Sequence, residues 1–166
     1  MGEGLIAQGL ASHAEGIGSQ ALGRAGHAEG FSTKTYATRV VNGATKNVTG
    51  AHAEGYLTEA KATASHAEGY KSIAEADYSH AGGLNTHTIV EAQTAIGKYN
   101  ADDNVAMLVV GAGTGTGTTQ RANCFTTGNN GTEDYITIGE TILTETQLKK
   151  IIEFINRIEN IEGGIE

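Results

Sequence analysis

The residues with the clearest chemical potential are five short segments in which histidine follows a serine, precedes a glutamate by two residues, or does both. SHAEG occurs at residues 12–16 and 65–69, and the related GHAEG, AHAEG and SHAGG occur at 26–30, 51–55 and 79–83. One such segment could suggest nucleophilic catalysis, in which a histidine takes the proton of a serine hydroxyl that it contacts. Five regularly spaced copies indicate a structural repeat instead.

The repeat unit is 14 residues long. Ala-x-Gly recurs every seven residues from Ala7 to Gly30. The step of seven resumes at Ala53, where Ala-x-Gly alternates with Ala-x-Ala or Thr-x-Val, and histidine accompanies alternate steps. The 25 residues from Ala28 to Ala53 equal three sevens plus four, so we expect an inserted loop of about four residues within 33–49. The scaffold positions of the repeat are Ala14, Gly16, Ala28, Gly30, Ala53, Gly55, Ala67, Gly69, Ala81 and Gly83.

A seven-residue step is also typical of coiled coils, but the residue types exclude that interpretation. Heptads need large apolar residues at positions a and d, and each glycine costs a helix about 1 kcal/mol relative to alanine. Short strands and turns, two of each per repeat, fit better, with successive coils about 4.8 Å apart. The pattern predicts a parallel β-solenoid of about six coils over residues 6–97, in which glycine supplies the corners.

Strand alternation places the histidine and glutamate of each copy on one face and the alanine and glycine on the other. Serine and histidine of one copy then point to opposite sides, which excludes a catalytic pair. We expect histidine and glutamate to pair with each other, either inside the coil or facing solvent or a subunit boundary, and we expect no catalytic residue, cofactor or metal ion. The residues of this polar ladder are His13, Glu15, His27, Glu29, His52, Glu54, His66, Glu68 and His80.

Composition limits the possible functions. The formal net charge of −8 gives no electrostatic reason to expect nucleic acid, and no apolar stretch reaches the roughly 20 residues that cross a bilayer. Leu, Ile, Val and Phe together number 32 of 166 residues, a proportion typical of disordered chains. An ordered fold therefore depends on the periodic small residues.

The period ends near residue 97. The apolar run at 105–111 predicts a buried strand, and residues 121–127 and 134–143 predict two more, with Asn-Asn-Gly as a hairpin turn before the last. We therefore predict a small antiparallel module of three strands over 98–143.

The last part of the chain predicts an amphipathic helix over 144–162, followed by a tail at 163–166. Thr144 and Gln147 form a capping box. Isoleucine at positions a and d favours three or four helices over two, so we expect a trimerisation helix; the alternative is a helix folded back on the β module. The expected oligomerisation residues are Leu148, Ile151, Ile152, Ile155 and Ile158.

The repeats resemble the heads of YadA-type trimeric autotransporter adhesins and, more closely, the SHAEG-rich repeats of bacteriophage fibre, tail and neck-appendage proteins. Residues 109–131, VVGAGTGTGTTQRANCFTTGNNG, resemble the module that follows these repeats in phage proteins. The segment LTETQL at 143–148 resembles the terminal helix of many phage structural proteins. The resemblance implies a mainly β protein with a left-handed parallel β-roll head, a short antiparallel module and a C-terminal helix in a trimeric bundle.

This resemblance implies a homotrimeric structural protein at the virion surface, a fibre or spike on the phage head or tail. Its partners would be itself, other virion proteins and a host-surface glycan or receptor, without nucleic acid or membrane insertion. The insert at 33–49 and the aromatic residues Phe31, Tyr36, Tyr56 and Tyr70 are candidate contacts.

Three other functions are weaker expectations. The head of a bacterial trimeric autotransporter adhesin would need a signal peptide, a long stalk and barrel strands, for which the sequence has no pattern. A polysaccharide depolymerase needs paired carboxylates at a set separation, whereas the regular carboxylates here belong to the repeat. A self-cleaving fibre chaperone would need a cleavage dyad, and none is evident.

Overall fold

The computed structural model describes the backbone of residues 2–162 and the side chains of residues 2–158. The described residues form 18 strands and one helix. The elements are β1 (Ile6–Ala7), β2 (His13–Ile17), β3 (Gln20–Ala21), β4 (His27–Phe31), β5 (Lys34–Thr35), β6 (Thr38–Val41), β7 (Ala44–Asn47), β8 (His52–Tyr56), β9 (Glu59–Ala60), β10 (His66–Tyr70), β11 (Ile73–Ala74), β12 (His80–Leu84), β13 (His87–Thr88), β14 (Thr94–Lys98), β15 (Ala106–Ala112), β16 (Asn123–Asn129), β17 (Asp134–Ile138), β18 (Thr141–Thr144) and α1 (Glu145–Glu162).

The repeats form a parallel β-solenoid, as predicted. Each 14-residue coil supplies one five-residue strand to a large sheet and one two-residue strand to a facing small sheet. The small sheet has the order β1-β3-β5-β9-β11-β13, and the parallel part of the large sheet runs from β2 through β4, β8, β10, β12 and β14 to β15. Equivalent repeat positions stack on each other, so His27 lies between His13 and His52 in the register.

The predicted length of the insertion was wrong. Residue 27 pairs with residue 52, so this coil contains 25 residues where the other coils contain 14, an excess of eleven rather than four. The additional residues form the antiparallel hairpin β6–β7. Its turn is Asn42-Gly43, with φ of 51° and 77°, as a two-residue type I′ turn requires. Counting in sevens failed because the structural unit is the whole coil.

The interior of the solenoid contains alanine and small hydroxyl residues instead of bulky aliphatic ones. Ala53, Ala67 and Ala81 are fully buried. Serine and threonine form a second buried column, in which the Thr33 hydroxyl donates to the Ser19 hydroxyl at 3.0 Å and Thr86 donates to Ser72 at 2.9 Å. These hydrogen bonds satisfy polar groups that would otherwise be costly to bury. The chain is therefore ordered despite its low bulky apolar content.

The repeat glycines allow close approach of the coils, and most corners do not use glycine. A Cβ atom on Gly55, whose φ is 102°, would lie 2.3 Å from the carbonyl oxygen of Gly69 in the next coil. The corners are mostly non-glycine residues with positive φ, such as Ala64 at 50° and Lys71 at 55°. The expectation that glycine supplies the corners was therefore largely wrong.

The large sheet continues without a break beyond residue 97. Strand β15 pairs in parallel with β14 on one side and antiparallel with β16 on the other. Strands β16, β17 and β18 complete the antiparallel part. Three purely antiparallel strands were predicted, but β15 also extends the solenoid. The segment 134–143 contains two strands because Gly139, with φ of 60°, reverses the chain between them.

Helix α1 begins with the predicted capping box. The Thr144 amide donates to Oε1 of Gln147 at 2.9 Å, and the Gln147 amide donates to Oγ1 of Thr144 at 3.3 Å. Along the helix, the apolar side chains of Ile151, Ile152, Phe154, Ile155 and Ile158 are all exposed, by 39–63%. The β module covers only the start of this face, where Leu148 is half-buried and lines a cavity with Tyr135 and Ile136. Among the described residues, no helix has the length and apolarity needed to cross a membrane.

Candidate functional site

The polar ladder lies on the outer face of the large sheet. Ala28 is fully buried, while His27 and Glu29 on either side of it are half-buried. The interior has room for alanine, serine and threonine, so the larger repeat side chains point outward. This answers the question of orientation that the sequence left open. In the first coil, Ala14 is only half-buried, whereas Ala28, Ala53, Ala67 and Ala81 are fully buried.

The serine and histidine of each SHAEG segment are on opposite sides, as predicted. Ser65 is buried and its hydroxyl donates to the carbonyl oxygen of Ala62 at 2.7 Å. His66 points to the outer face and is half-buried. Ser65 therefore stabilises a turn, and it does not contact the imidazole that follows it.

The five ladder histidines form a continuous stack of imidazole rings. The centroid separations are 4.6 Å for His27–His52, 4.7 Å for His52–His66 and 4.9 Å for His66–His80, with interplanar angles of 9° or less. At the first step, His13 is tilted by 41° to His27 at 5.0 Å. The stacking follows from the parallel register, which places identical residues one coil apart.

A column of carboxylates runs beside the imidazole stack. Glu15, Glu29, Glu54 and Glu68 occupy successive coils, and Gly82 takes the glutamate position in the next. These four residues and the scaffold residues Gly16, Gly30, Gly55 and Gly69 line an open groove of about 560 Å³. The groove exists because the scaffold glycines have no side chains.

The two columns lie close together, but they share only one hydrogen bond. Nε2 of His80 is 3.2 Å from Oε1 of Glu68. Glu54 lies between two imidazoles: its Oε2 is 3.8 Å from Nε2 of His52, and its Oε1 is 3.7 Å from Nε2 of His66. These two distances are too long for hydrogen bonds. Histidine and glutamate side chains are thus neighbours, as predicted, but only His80 and Glu68 form a hydrogen bond.

Three imidazole nitrogens in the ladder are buried without a hydrogen-bond partner: Nε2 of His27, His52 and His66. About a third of the His52 and His66 side chains is exposed, yet this particular atom is covered in each. Burial, followed by the neighbouring imidazoles His66 and His27, lowers the pKa of His52. Burial, followed by His80, lowers the pKa of His66. Both rings are therefore neutral at pH 7, because the ordinary pKa of histidine is already below 7.

Three of the four candidate aromatic contacts form a second stack. The ring centroids of Phe31 and Tyr56 are 4.9 Å apart, and those of Tyr56 and Tyr70 are 5.0 Å apart, with interplanar angles of 7° and 2°. Each side chain is about 40% exposed. Because the rings cover each other, both faces of Tyr56 are occupied, and the stack presents ring edges to solvent.

The fourth aromatic candidate, Tyr36, lies at the base of the β6–β7 hairpin. Its hydroxyl donates to Oε2 of Glu59 at 2.8 Å. Together with Thr38, Arg39, Val40, Lys61 and Glu75 it lines a cavity of about 360 Å³. The hairpin insertion creates this cavity, whose lining combines apolar surface with the charged residues Arg39, Lys61 and Glu75.

The ion pairs that attach the hairpin to the solenoid, and those of His87 nearby, were not predicted. Arg39 donates to the Glu75 carbonyl oxygen at 2.7 Å and pairs with Asp77 at 2.8 Å. His87 lies between two carboxylates, 2.8 Å from Glu75 and 2.8 Å from Asp102. The Asn-Gly pair of the hairpin turn was a sequence signal for the hairpin, whereas these long-range ion pairs have no local signal.

The fold and these surfaces define the chain as a mainly β solenoid protein with a short antiparallel extension and one C-terminal helix. Comparison of the chain with protein-family models, with curated proteins and with solved structures gives no match.

Proposed function

We propose that the chain is a homotrimeric structural protein of a bacteriophage virion, a fibre or spike on the head or tail. The observation that carries this proposal is the uncovered apolar face of α1 at the end of a solenoid that has a complete core of its own. In the proposed trimer, three copies of this helix pack together, and the solenoids form the exposed part of the fibre.

The exposed isoleucines explain why the helix needs a partner. Ile151, Ile155 and Ile158 follow the a and d spacing that favours three or four helices, and each is 39–47% exposed in the single chain. Complete burial of such a side chain contributes roughly 1.5–3 kcal/mol. Several of them on three helices supply enough free energy to offset part of the cost of association.

The assignment to a virion rests on the SHAEG repeats and on the LTETQL segment, both of which resemble phage structural proteins. The solenoid supports it physically, because hydrogen bonds between successive coils give a regular rod. In this proposal the chain also contacts other virion proteins and acts at the virion surface.

The proposed host contacts are the β6–β7 hairpin and the aromatic stack. The hairpin is a two-stranded sheet separate from the solenoid sheets, and most of its residues are exposed, so its side chains can contact a receptor. Tyr56 has no free ring face, so a sugar would contact the ring edges and hydroxyl groups of the stack. The hairpin is therefore the better candidate for host recognition.

The trimer is tested by measuring the mass of purified protein with light scattering, for the wild type and for Ile155→Asp. We expect the mass of three chains for the wild type and of one chain for Ile155→Asp, because a carboxylate in the apolar seam would lose its hydration. Asn156→Asp adds the same charge at the neighbouring exposed position and should remain trimeric. A monomeric wild type, or an unchanged mass for Ile155→Asp, would contradict the proposal.

The virion assignment needs a separate experiment. Antibodies raised against the solenoid, which contains the proposed exposed surface, should label phage particles from the producing host in electron micrographs. Labelling of bacterial cell envelopes in the absence of phage would instead favour a cellular adhesin.

A further inference from the structure

In the polar ladder, the step from His52 to His66 contains buried polar atoms without partners. Nε2 of His52 and Nε2 of His66 are covered and have no hydrogen-bond partner. A buried polar atom without a partner costs about 1–3 kcal/mol. A cation that accepts the lone pair of each nitrogen would remove this cost.

The charge of the neighbouring column points to a cation. Within the part of the chain that the structure describes, Glu15, Glu29, Glu54 and Glu68 form ion-pair contacts with histidines alone, and no lysine or arginine pairs with them. Four carboxylates therefore stack in successive coils without a lysine or arginine beside them, and like charges stacked in a sheet are destabilising. A bound cation would relieve this repulsion.

We propose that His52, Glu54 and His66 form a binding site for a divalent transition-metal ion of the zinc type. One ligand atom of each residue lies within 4.8 Å of those of the other two. Imidazole nitrogen selects Zn²⁺, Cu²⁺ or Ni²⁺ over Mg²⁺ and Ca²⁺, which prefer oxygen ligands. Sequence analysis favoured a ladder without metal, because the covered nitrogens become visible only in the structure.

Binding of one ion requires the side chains to rearrange. Ligand atoms about 2.0–2.1 Å from a tetrahedral zinc ion are roughly 3.3 Å from each other. Glu54 approaches His52 through Oε2, at 3.8 Å, and His66 through Oε1, at 3.7 Å, and the two imidazoles stack in parallel with centroids 4.7 Å apart. The rings must therefore turn out of the stack so that both Nε2 atoms point at one ion beside a Glu54 oxygen, and a water molecule would complete the four-coordinate shell.

Nε2 of His27 is covered in the same way, but among the described residues the group whose ligand atoms lie within 4.8 Å of one another is His52, Glu54 and His66. His80 already shares a hydrogen bond with Glu68, which occupies that nitrogen. His13 is tilted out of the stack, and 63% of its side chain is exposed. The ion would join β8 to β10, so it would connect two successive coils. The site is independent of the proposed virion function.

The test uses the full chain without a histidine tag, freed of metal with a chelator and titrated with ZnCl₂ in a calorimeter. We expect one ion per chain, and at least tenfold weaker binding for Glu54→Gln and for His66→Gln, since even loss of an outer-shell partner of a metal ligand costs about 10–100-fold. Glu91→Gln removes the same charge from an exposed position outside the ladder and should leave the affinity unchanged. No binding to the wild type, or equal losses in all three variants, would overturn the proposal.

A spectroscopic measurement on the wild type covers the case in which a ladder variant does not fold. Zinc X-ray absorption should show two imidazole ligands at about 2.0 Å in a four-coordinate shell. A six-coordinate shell of oxygen atoms would overturn the proposal, because it would place the ion on surface carboxylates.

Discussion

The solenoid and the C-terminal helix bury apolar surface in opposite ways. In the solenoid, Ala53, Ala67 and Ala81 are fully buried within one chain, and each coil covers the next. In α1, Ile152 and Phe154 are 56% and 63% exposed. The difference shows that small residues suffice when the backbone itself repeats at close spacing, whereas large residues on a lone helix need a partner.

The two regions should therefore respond differently to disruption. The stability of a repeat structure is approximately the sum of its coils and of the interfaces between neighbours, so a defect in one coil acts through the coils beside it. Most of the stability of a helix in a protein comes from packing of its apolar face, so in the proposed trimer α1 would depend on association. Substitutions in the solenoid should leave the oligomeric state unchanged, and substitutions in α1 should leave the stability of the solenoid unchanged.

The largest expected effect is that of Gly55→Ala in the solenoid. The new Cβ would meet the Gly69 carbonyl at 2.3 Å, at a φ of 102° that side chains rarely adopt. We expect a loss of about 3 kcal/mol or more in the free energy of unfolding, from backbone strain and steric overlap together. Denaturant unfolding followed by circular dichroism at 218 nm measures it.

Gly43→Ala is the matched control for this substitution. Gly43 also has positive φ, 77°, but no atom lies within 4 Å of its would-be Cβ. Gly43→Ala should lower the free energy of unfolding only by the cost of positive φ for alanine, about 1–2 kcal/mol. Equal losses for the two variants would show that close approach between coils does not limit stability.

A smaller effect is expected for Ala67→Leu in the core. Ala67 lies in a buried cluster with Ala53, Ala60, Ala74 and Ala81, and extra methylene groups in a packed core cost about 1–3 kcal/mol. The loss should appear in denaturant unfolding, while the mass measured by light scattering stays unchanged.

The control for the core substitution is Ala44→Leu, at an exposed position of the hairpin. It should be nearly neutral, because a surface substitution usually changes stability by no more than about 0.5 kcal/mol. A neutral Ala67→Leu would mean that the coils can separate to admit a large side chain.

The sequence predicts the regular part of the fold well. The alanine and glycine period gives the solenoid because each repeat position meets its own copy one coil away. Thr144 and Gln147 give the start of the helix because a capping box is a local signal. These features depend on residues that are close in sequence or related by the repeat.

The features that the sequence did not predict depend on other information. The length of the insertion was implicit in the 14-residue unit and the 25-residue spacing, but counting in sevens hid it until the pairing of His27 with His52 showed the register. The buried column that includes Ser19 and Thr33 was present in the period but overlooked, because hydroxyl residues are usually exposed. The covered Nε2 atoms depend on side-chain conformation, which no sequence period contains.

A modest effect, confined to the helix, is expected for Thr144→Ala. Loss of an N-cap hydroxyl costs about 1 kcal/mol, and this hydroxyl accepts from the Gln147 amide. Thermal melting monitored at 222 nm should show earlier loss of helix, without a change in the solenoid transition. Thr141→Ala, at an exposed position in β18, is the control. An earlier solenoid transition in Thr144→Ala would show that the two regions unfold as one unit.

The smallest effect is expected at high pH, where Tyr36 of the solenoid and Tyr135 of β17 have raised pKa values. Burial, then the hydrogen bond to Glu59, raises the pKa of Tyr36 in the solenoid to about 12, and burial followed by Asp103 raises the pKa of Tyr135 in the C-terminal module. Because the folded pKa of Tyr36 exceeds the unfolded value of about 10, its contribution to stability is complete below pH 10 and is lost as the pH rises towards 12. Absorbance at 295 nm should show a late tyrosinate step that is missing in Tyr36→Phe and retained in Tyr135→Phe. If Tyr36→Phe keeps that step, the hydrogen bond to Glu59 does not hold the phenol proton, and the hairpin base is then as open to solvent as the helix face.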